Sequence, residues 1–568
     1  MSIRHLASCV VHSNSASFIH TRRFSGAAVR DPEWFCARTG SEPTTGWSPG
    51  VRVGATFVPL LLLFLPFWAA AQEPHGAPLG LESVIRQTLA TNPAINLQSQ
   101  QVELARGILQ QSSGSFDSSL QFSVRHQQDK QPLATVNRPP SPIAAIETDV
   151  QSVAVGVDKT LRNGVALSMS LSSTRSDGTT NALNGWPTTY RGLVSFSMSI
   201  PLMRNTGRSL ALGEAANDKA WQASREELRQ AVARNVLSVV SAYWNVLAAQ
   251  KGLEISREGE TTTLRLLEDT QKLVAADELP AADLNLIRAS LSDRRSARIA
   301  SETSLLQAHQ SLGSLMGLPY SEITALRVEG NFPAIPQDIP NLVGVSPAAQ
   351  ERALMRRPDL LAARLRQDSA QAQVESIRAN LKSQLDLVIG TGTAGIVEGG
   401  SVSSYYQSLS SNTARPNASV ALVYQRSFGN NFFDGLMVQR VAAYELAAIN
   451  YSNLVRSIGL AVESSYLALV RSARQLEASM ESVTVYEISL ENERTKNRLG
   501  TSTLLNVLNV SDSLRNARFS RVSNYLNYVN ALATFAYESG VLIEDASVAQ
   551  VVDLSKLMDS TWAISVAR

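Results

Sequence analysis

The chain has 568 residues, with 51 Lys and Arg against 49 Asp and Glu and a formal charge of +2. Such a balance argues against a nucleic-acid partner, and the length is ample for a large core. The only cysteines, Cys9 and Cys36, lie near the start, so the rest of the chain offers no disulfide, cysteine nucleophile or thiolate metal site.

Residues 1–50 are irregular and lie ahead of a segment that reads as a secretory signal over 51–71. Arg52, an apolar run from Phe57 to Trp68 and then Ala69-Ala70-Ala71 are the n-region, h-region and cleavage site of such a signal. The apolar run is short for a bilayer span, and cleavage is expected before Gln72. No Met lies between Met1 and Met169. Translation is therefore expected to start at Val51 or Val53 through a non-Met codon, with 1–50 a mis-called extension. N-terminal sequencing of the precursor checks this: a precursor that begins at Met1 overturns it. After Gln72 no run of about twenty apolar residues occurs, so no transmembrane helix is expected.

Next comes a region of alternating residues. In "GVALSMSLSST" from Gly164, Val165, Leu167, Met169 and Leu171 alternate with Ala166, Ser168, Ser170 and Ser172. In "LVSFSMSIP", Val194, Phe196, Met198 and Ile200 alternate with Ser195, Ser197 and Ser199. Period two predicts strands with one apolar and one polar face. The full set of expected strands is Phe116–Gln128, Val150–Lys159, Gly164–Thr174, Arg191–Leu202, Leu385–Gly392 and Ala418–Arg426. "LRNG" at Leu161 predicts a tight turn. Stretches from Gln131, Thr174 and Ile396 read as long exposed loops. About ten alternating residues bounded by long loops on one side fit a membrane barrel strand, with the apolar set toward lipid. Only a closed barrel satisfies the backbone in a membrane; one chain supplies too few strands for a wide pore, so several chains should share one barrel. A half-buried sheet in a soluble domain remains the alternative on the strands alone.

Two uninterrupted helices are expected, from about Ser209 to Val274 and from about Gly435 to Leu499, each roughly 100 Å long at 1.5 Å per residue. In the second, Val455, Ile458, Val462, Tyr466, Leu469, Ala473, Leu476, Met480 and Val483 recur at steps of three and four, the spacing of coiled-coil packing. The two halves are also repeats. "VARNVLSVVSAYWNVLAAQKGLEIS" from Val232 aligns without a gap to "VRSIGLAVESSYLALVRSARQLEAS" from Val455, pairing Tyr243 with Tyr466 and Leu253 with Leu476. The same offset pairs Asp283 with Asn506 and Leu291 with Leu514. Upstream, "ATNPAI" resembles "MRRPDL", pairing Pro93 with Pro358 at a larger offset, so the first half carries extra residues in its strand region. The organisation is a first repeat over 72–330, a Pro-rich linker over 331–345, a second repeat over 346–545 and a tail over 546–568. Pro358 suits a helix's first turn, with Asp359 at its positive end; that reading gives "RRPDL" no chemistry.

Taken together, the duplicated helix–strand–helix order, "ALMRRPDLLAARLRQDSAQAQVESIRA" from Ala353, "SIPLMRNTGRSLALGEA" and "RLGTSTLLNVLNVSDSL" resemble the TolC-type outer membrane efflux family over about residues 80–545. The resemblance implies a mixed membrane protein. Its duplicated helix–strand–helix halves would build a trimeric transmembrane β-barrel, continued by a long periplasmic α-helical barrel. The family usually gives four strands per chain; four are favoured here, with the Val150–Thr174 hairpin left unplaced. The resemblance also implies two periplasmic turns where adaptor proteins dock. These carry Asp277 and Glu278 in the first tip and Gly500, Thr501 and Ser502 in the second. Gly500 suits a helix C-cap, and the repeat offset puts Asp277 in its place, an Asp being tolerant of that backbone. The family's acidic gate positions correspond to Asn506 and Asn509, with Asp283 as the charged repeat-equivalent. Amides supply no cation-attracting field, so weak cation selectivity is expected.

No catalytic chemistry is expected: His126 and His309 lack metal-ligand spacing, "GTGTAG" at Gly390 lacks a phosphate-loop pattern, and no serine sits in a nucleophile elbow. No cofactor or metal is expected. The expected partners are two further copies of the chain, a periplasmic adaptor (membrane fusion) protein, an inner-membrane transporter and outer-membrane lipid. The expected function is an outer-membrane export duct, for multidrug-type efflux or type I protein secretion. A coiled-coil scaffold without a pore, periplasmic or on the cell surface, is the alternative.

Overall fold

The computed structural model describes residues 79–134, 145–203, 208–277, 280–323, 326–336, 339, 347–411, 416–542 and Trp562. The expected extension, signal and cleavage point lie outside the described residues, as do Glu278 and all of the expected tail but Trp562.

Each half opens with a short helix that leads into a longer one started by proline. Helix α1 (Leu81–Thr91) leads to α2 (Pro93–Ser113), where Asn92 caps by accepting from the Ala94 and Ile95 amides. Pro93 takes the first helical position, where its missing N–H costs nothing. In the second half α7 (Pro347–Arg356) leads to α8 (Pro358–Asn380), and Pro358 takes the same place.

From α2 the chain enters β1 (Ser118–Pro132), β2 (Ala145–Thr160), β3 (Ala166–Gly178), helix α3 (Thr179–Asn184) and β4 (Thr189–Pro201). From α8 it enters β5 (Gln384–Glu398), helix α9 (Ser403–Ser410) and β6 (Asn417–Gln425). All six strands form one antiparallel sheet in chain order. The sequence favours four barrel strands; the hairpin is instead part of the ladder. Strand β2 pairs along its length with β1 and β3, and no gap is left between β1 and β4. Register carries the apolar set across the sheet on one face. Leu120, Val157, Met169, Phe196 and Thr391 lie opposite one another in turn, and Leu167, Met198, Ile389 and Val420 form the next such row. On the other face Ser168 and Ser170 meet Ser197 and Ser195 with hydroxyls 2.6 and 2.7 Å apart. Val165 falls in the β2–β3 turn rather than in a strand, its carbonyl accepting from the Leu161 amide.

The stretches from Thr174 and Ile396 differ from the expected open loops. Strand β3 runs on to Gly178, and α3 and α9 fold over the far end of the sheet. There Ser408 meets Ser173 at 2.9 Å and Tyr405 packs edge-on against Tyr190 at 4.9 Å. A Cβ on Gly192 or Gly395 would sit 2.3 Å or less from α9 backbone oxygens, so only glycine admits this approach.

Two long helices leave the sheet: α4 (Arg208–Ala275) and α10 (Asn431–Arg498), 68 residues each. They turn back into α5 (Ala281–Met316) and α11 (Leu504–Glu538). Near the sheet, α2 packs on α4, and α8 packs between α4 and α10; farther away, α5 joins α4, and α11 joins α10 and α4. The expected stripe on α10 is buried at Ile458, Val462, Tyr466, Leu469, Ala473, Leu476 and Val483. Met480 is exposed and Ser479 takes the inward place, because a 3.6-residue helix drifts against a seven-residue repeat. Ser465, Ser472 and Ser479, seven apart, are buried and return their hydroxyls to the carbonyls three residues back. Small buried residues at that interval let neighbouring helices approach closely.

Repeat-paired positions share their burial: Tyr243 with Tyr466, Leu253 with Leu476 and Leu291 with Leu514 are all buried. The expected linker does more than connect the halves. Phe332 stacks between Trp244 and Tyr525, at 5.7 and 5.1 Å, and Ile339 is fully buried. Trp562 stacks on Phe535 at 5.7 Å. Among the described residues no helix is long and apolar enough to cross a membrane.

Candidate functional site

The two helix–helix turns are built alike. At the second, the Gly500 amide donates to the Asn497 carbonyl and the Thr501 amide to the Lys496 carbonyl, both at 2.9 Å. This is a Schellman end, which needs a left-handed residue, and Gly500 has φ +72°. At the first turn Asp277 has φ +60°, and its amide donates to the Val274 carbonyl at 3.1 Å. The two residues occupy matching backbone positions. After each turn, Asp283 and Asn506 are the third residues of α5 and α11.

Side chains brace the second turn. The Ser502 hydroxyl donates to the Glu493 carboxylate, the Asn497 amide to the Ser502 carbonyl at 2.9 Å, and the Thr501 hydroxyl to the Lys496 carbonyl at 3.1 Å. The Ser502 hydroxyl, and then Lys496, hold the Glu493 carboxyl below its usual range. A lowered acid contributes fully above its ordinary value and loses that contribution as pH falls through the lowered one. Ser502→Ala is therefore expected to shift acid loosening of this turn to higher pH. Amide exchange at residues 499–503, followed from about pH 5 down to about pH 3, reads the shift; superimposable profiles for variant and parent would refute it.

Asn506 and Asn509 are exposed in the single chain. Asn506 donates to the Ser502 hydroxyl at 3.3 Å, and the Asn509 carbonyl accepts from Ser513 at 2.9 Å. Asn506, Asn509, Asp512, Arg515 and Arg518 recur at steps of three along α11, a path that winds round the helix by about 60° per step. Asp512 binds Arg294 of α5, a buried arginine, and lies 3.7 Å from Arg515. Both arginines keep a buried Nε without a hydrogen bond. Burial, and then Arg294, push Arg515 below its usual value, so one carboxylate serves two crowded guanidinium groups. One step on, Arg518 reaches Glu258 of α4 at 3.0 Å and Glu487 of α10 at 2.8 Å. Arg298 of α5 reaches Glu260 of α4 at 2.7 Å. All four helices are thus pinned by ion pairs roughly 20–25 Å from the turns. The three-residue step is visible in the sequence; the partners on other helices are not.

Residues 349–537 match the family model "Outer membrane efflux protein". The outer membrane protein TolC of Escherichia coli (strain K12) is 25% identical over 319 residues, which is 55% of this chain and 61% of that protein. TolC of Salmonella enteritidis is 26% identical over 322 residues, again 55% of this chain and 61% of the relative. The chain thus spans 61% of the length of the curated relatives it matches. Among solved structures, the Campylobacter jejuni CmeC outer membrane channel superposes with a TM-score of 0.63 at 14% identity, covering 85% of this chain and 88% of that one. A membrane protein from Pseudomonas aeruginosa superposes with a TM-score of 0.60 at 16% identity, covering 81% and 93%. At those identities the superpositions speak to fold, and the sequence matches speak to descent. Residues 349–537 thus match the outer membrane efflux family, and the chain shares the fold of a solved outer membrane channel.

Proposed function

We propose that three copies of this chain form an export duct across the outer membrane and periplasm. It would pass substrates delivered by an inner-membrane transporter through a periplasmic adaptor, for drug-type efflux or type I protein secretion. The observation that carries this reading is the continuity of one two-faced sheet with two 68-residue helices in the same chain. The helices are roughly 100 Å long, which suits a tube. Leu167, Met169, Leu171, Val194, Phe196, Met198 and Ile200 would face lipid, with Val165 at the band's lower edge and the Ser face lining a wet lumen. The turns at Asp277 and Glu278 and at Gly500, Thr501 and Ser502 would meet the adaptor. Asp283, Asn506 and Asn509 would ring the closed end.

Planar-bilayer recording of detergent-purified protein in a salt gradient tests this. Small discrete steps with weak ion preference are expected. Pure, folded protein that never inserts, and that leaves membranes in carbonate, would give the scaffold reading instead. The amides make a sharper expectation. Asn506→Asp with Asn509→Asp would place six carboxylates on the axis of a trimer, and the reversal potential should move clearly toward cation selectivity. An unchanged reversal potential would remove these two positions from the conduction path.

A further inference from the structure

We infer that this chain contributes six strands to the shared barrel, so that a trimer closes on eighteen, with β1 of each copy paired to β6 of the next. The inference rests on the trimeric duct reading and adds the barrel's width and its seams.

Three observations carry it. First, the sheet is open: β1 and β6 are its two edges, and every residue of both is exposed. In lipid an open edge leaves backbone groups unsatisfied. Six strands are also fewer than the eight whose interior is just wide enough for side chains, so the edges must meet other copies. Six is even, so β1 and β6 run in opposite directions and any number of copies closes antiparallel throughout. Second, the apolar face continues to both edges. Leu120, Phe122 and Val124 on β1 share a face with Val420 and Leu422 on β6 through the unbroken register. A β6–β1 seam therefore makes one apolar band around the barrel.

Third, the widths agree. Four helices per chain join the sheet directly, with α2 entering β1, β4 leaving into α4, α8 entering β5 and β6 leaving into α10. Side by side at about 9–10 Å they occupy an arc of roughly 36–40 Å. Six strands about 4.8 Å apart and tilted about 40° span roughly 38 Å. The β2–β3 hairpin, closed on the helix side by the short Leu161–Val165 turn, adds two strands to that arc.

The test uses the detergent-purified protein and paired cysteines at exposed positions. Leu120→Cys or Phe122→Cys on β1 is combined with Val420→Cys or Leu422→Cys on β6, a small grid that spans the stagger of the seam. At least one pair is expected to give disulfide-linked trimers under oxidation. Leu171→Cys on β3 combined with the same β6 positions is expected to give none. Electron cryomicroscopy of the parent should count eighteen strands. Trimers linked through β3, or a count of twelve, would overturn the inference and leave the duct intact. A protein that is monomeric by native mass spectrometry would overturn both.

Discussion

Arg357→Ala is expected to lower stability by about 3–5 kcal/mol, the cost of leaving buried charges without their partner. Arg357 precedes the first turn of α8, and its side chain is only 8% exposed. Its guanidinium reaches both oxygens of Asp359, at 2.7 and 3.1 Å, and binds Glu538 at the end of α11. It also lies over the Tyr537 ring at 5.4 Å. Alanine would leave two acids, each under 20% exposed, facing each other across a helix junction. Arg357→Lys keeps the charge but cannot serve two carboxylates through a planar fork, so it should recover only part of the loss. Arg357→Met with Glu538→Gln removes charge from both sides and should lose less than Arg357→Ala. Unfolding temperatures in one detergent check the order; an Arg357→Ala protein as stable as the parent would refute the account.

This junction also marks what the sequence could and could not disclose. Pro358 and Asp359 announce a helix start through local chemistry, and the start is there. Nothing local points to Glu538, 181 residues away, so "RRPDL" read as a terminus when it is also a clasp. The same division runs through the molecule. Repeat alignment placed Asp277 opposite Gly500, because both ends need the same left-handed residue. It placed Asp283 opposite Asn506, because helix registers survive duplication. Alternation located all six strands within a few residues at most ends, since period two is a local property of one strand. Partner choice is not local, and β2 and β3 entered the ladder against the four-strand expectation. Helix α9 was hidden for a related reason. "SSYYQSLS" is short and polar, and its place depends on Gly192 and Gly395, which lie on two strands of different halves. Phe332 sits in a Pro-rich stretch that reads as a linker, while its neighbours Trp244 and Tyr525 come from different halves of the chain.

Asp512→Ala is expected to have the second large effect, and a local one. The carboxylate is 43% exposed, so water screens part of the interaction, and the cost should be smaller than at Arg357, about 2–3 kcal/mol. What distinguishes the site is where the loss falls. With Asp512 gone, Arg294 stays buried beside Arg515 with no anion between them, and the contact between α5 and α11 becomes repulsive. The clasp at Arg357 and the aromatic core around Trp244 and Phe535 lie far along the helices and keep their packing. The ends of α5 and α11 should therefore open more often while the remainder stays protected. Amide exchange should speed up within residues 287–298 and 507–518 and remain slow around Tyr466 and Phe535. If the turns close the duct, single-channel conductance should rise in the same variant. Asp512→Ala with Arg294→Gln, which removes the crowded charge, should restore most of the exchange protection. A uniform rise in exchange along the whole bundle would show that Asp512 supports global folding and does not act as a local pin. Unchanged exchange would show that Arg294 and Arg515 find other partners when Asp512 is removed.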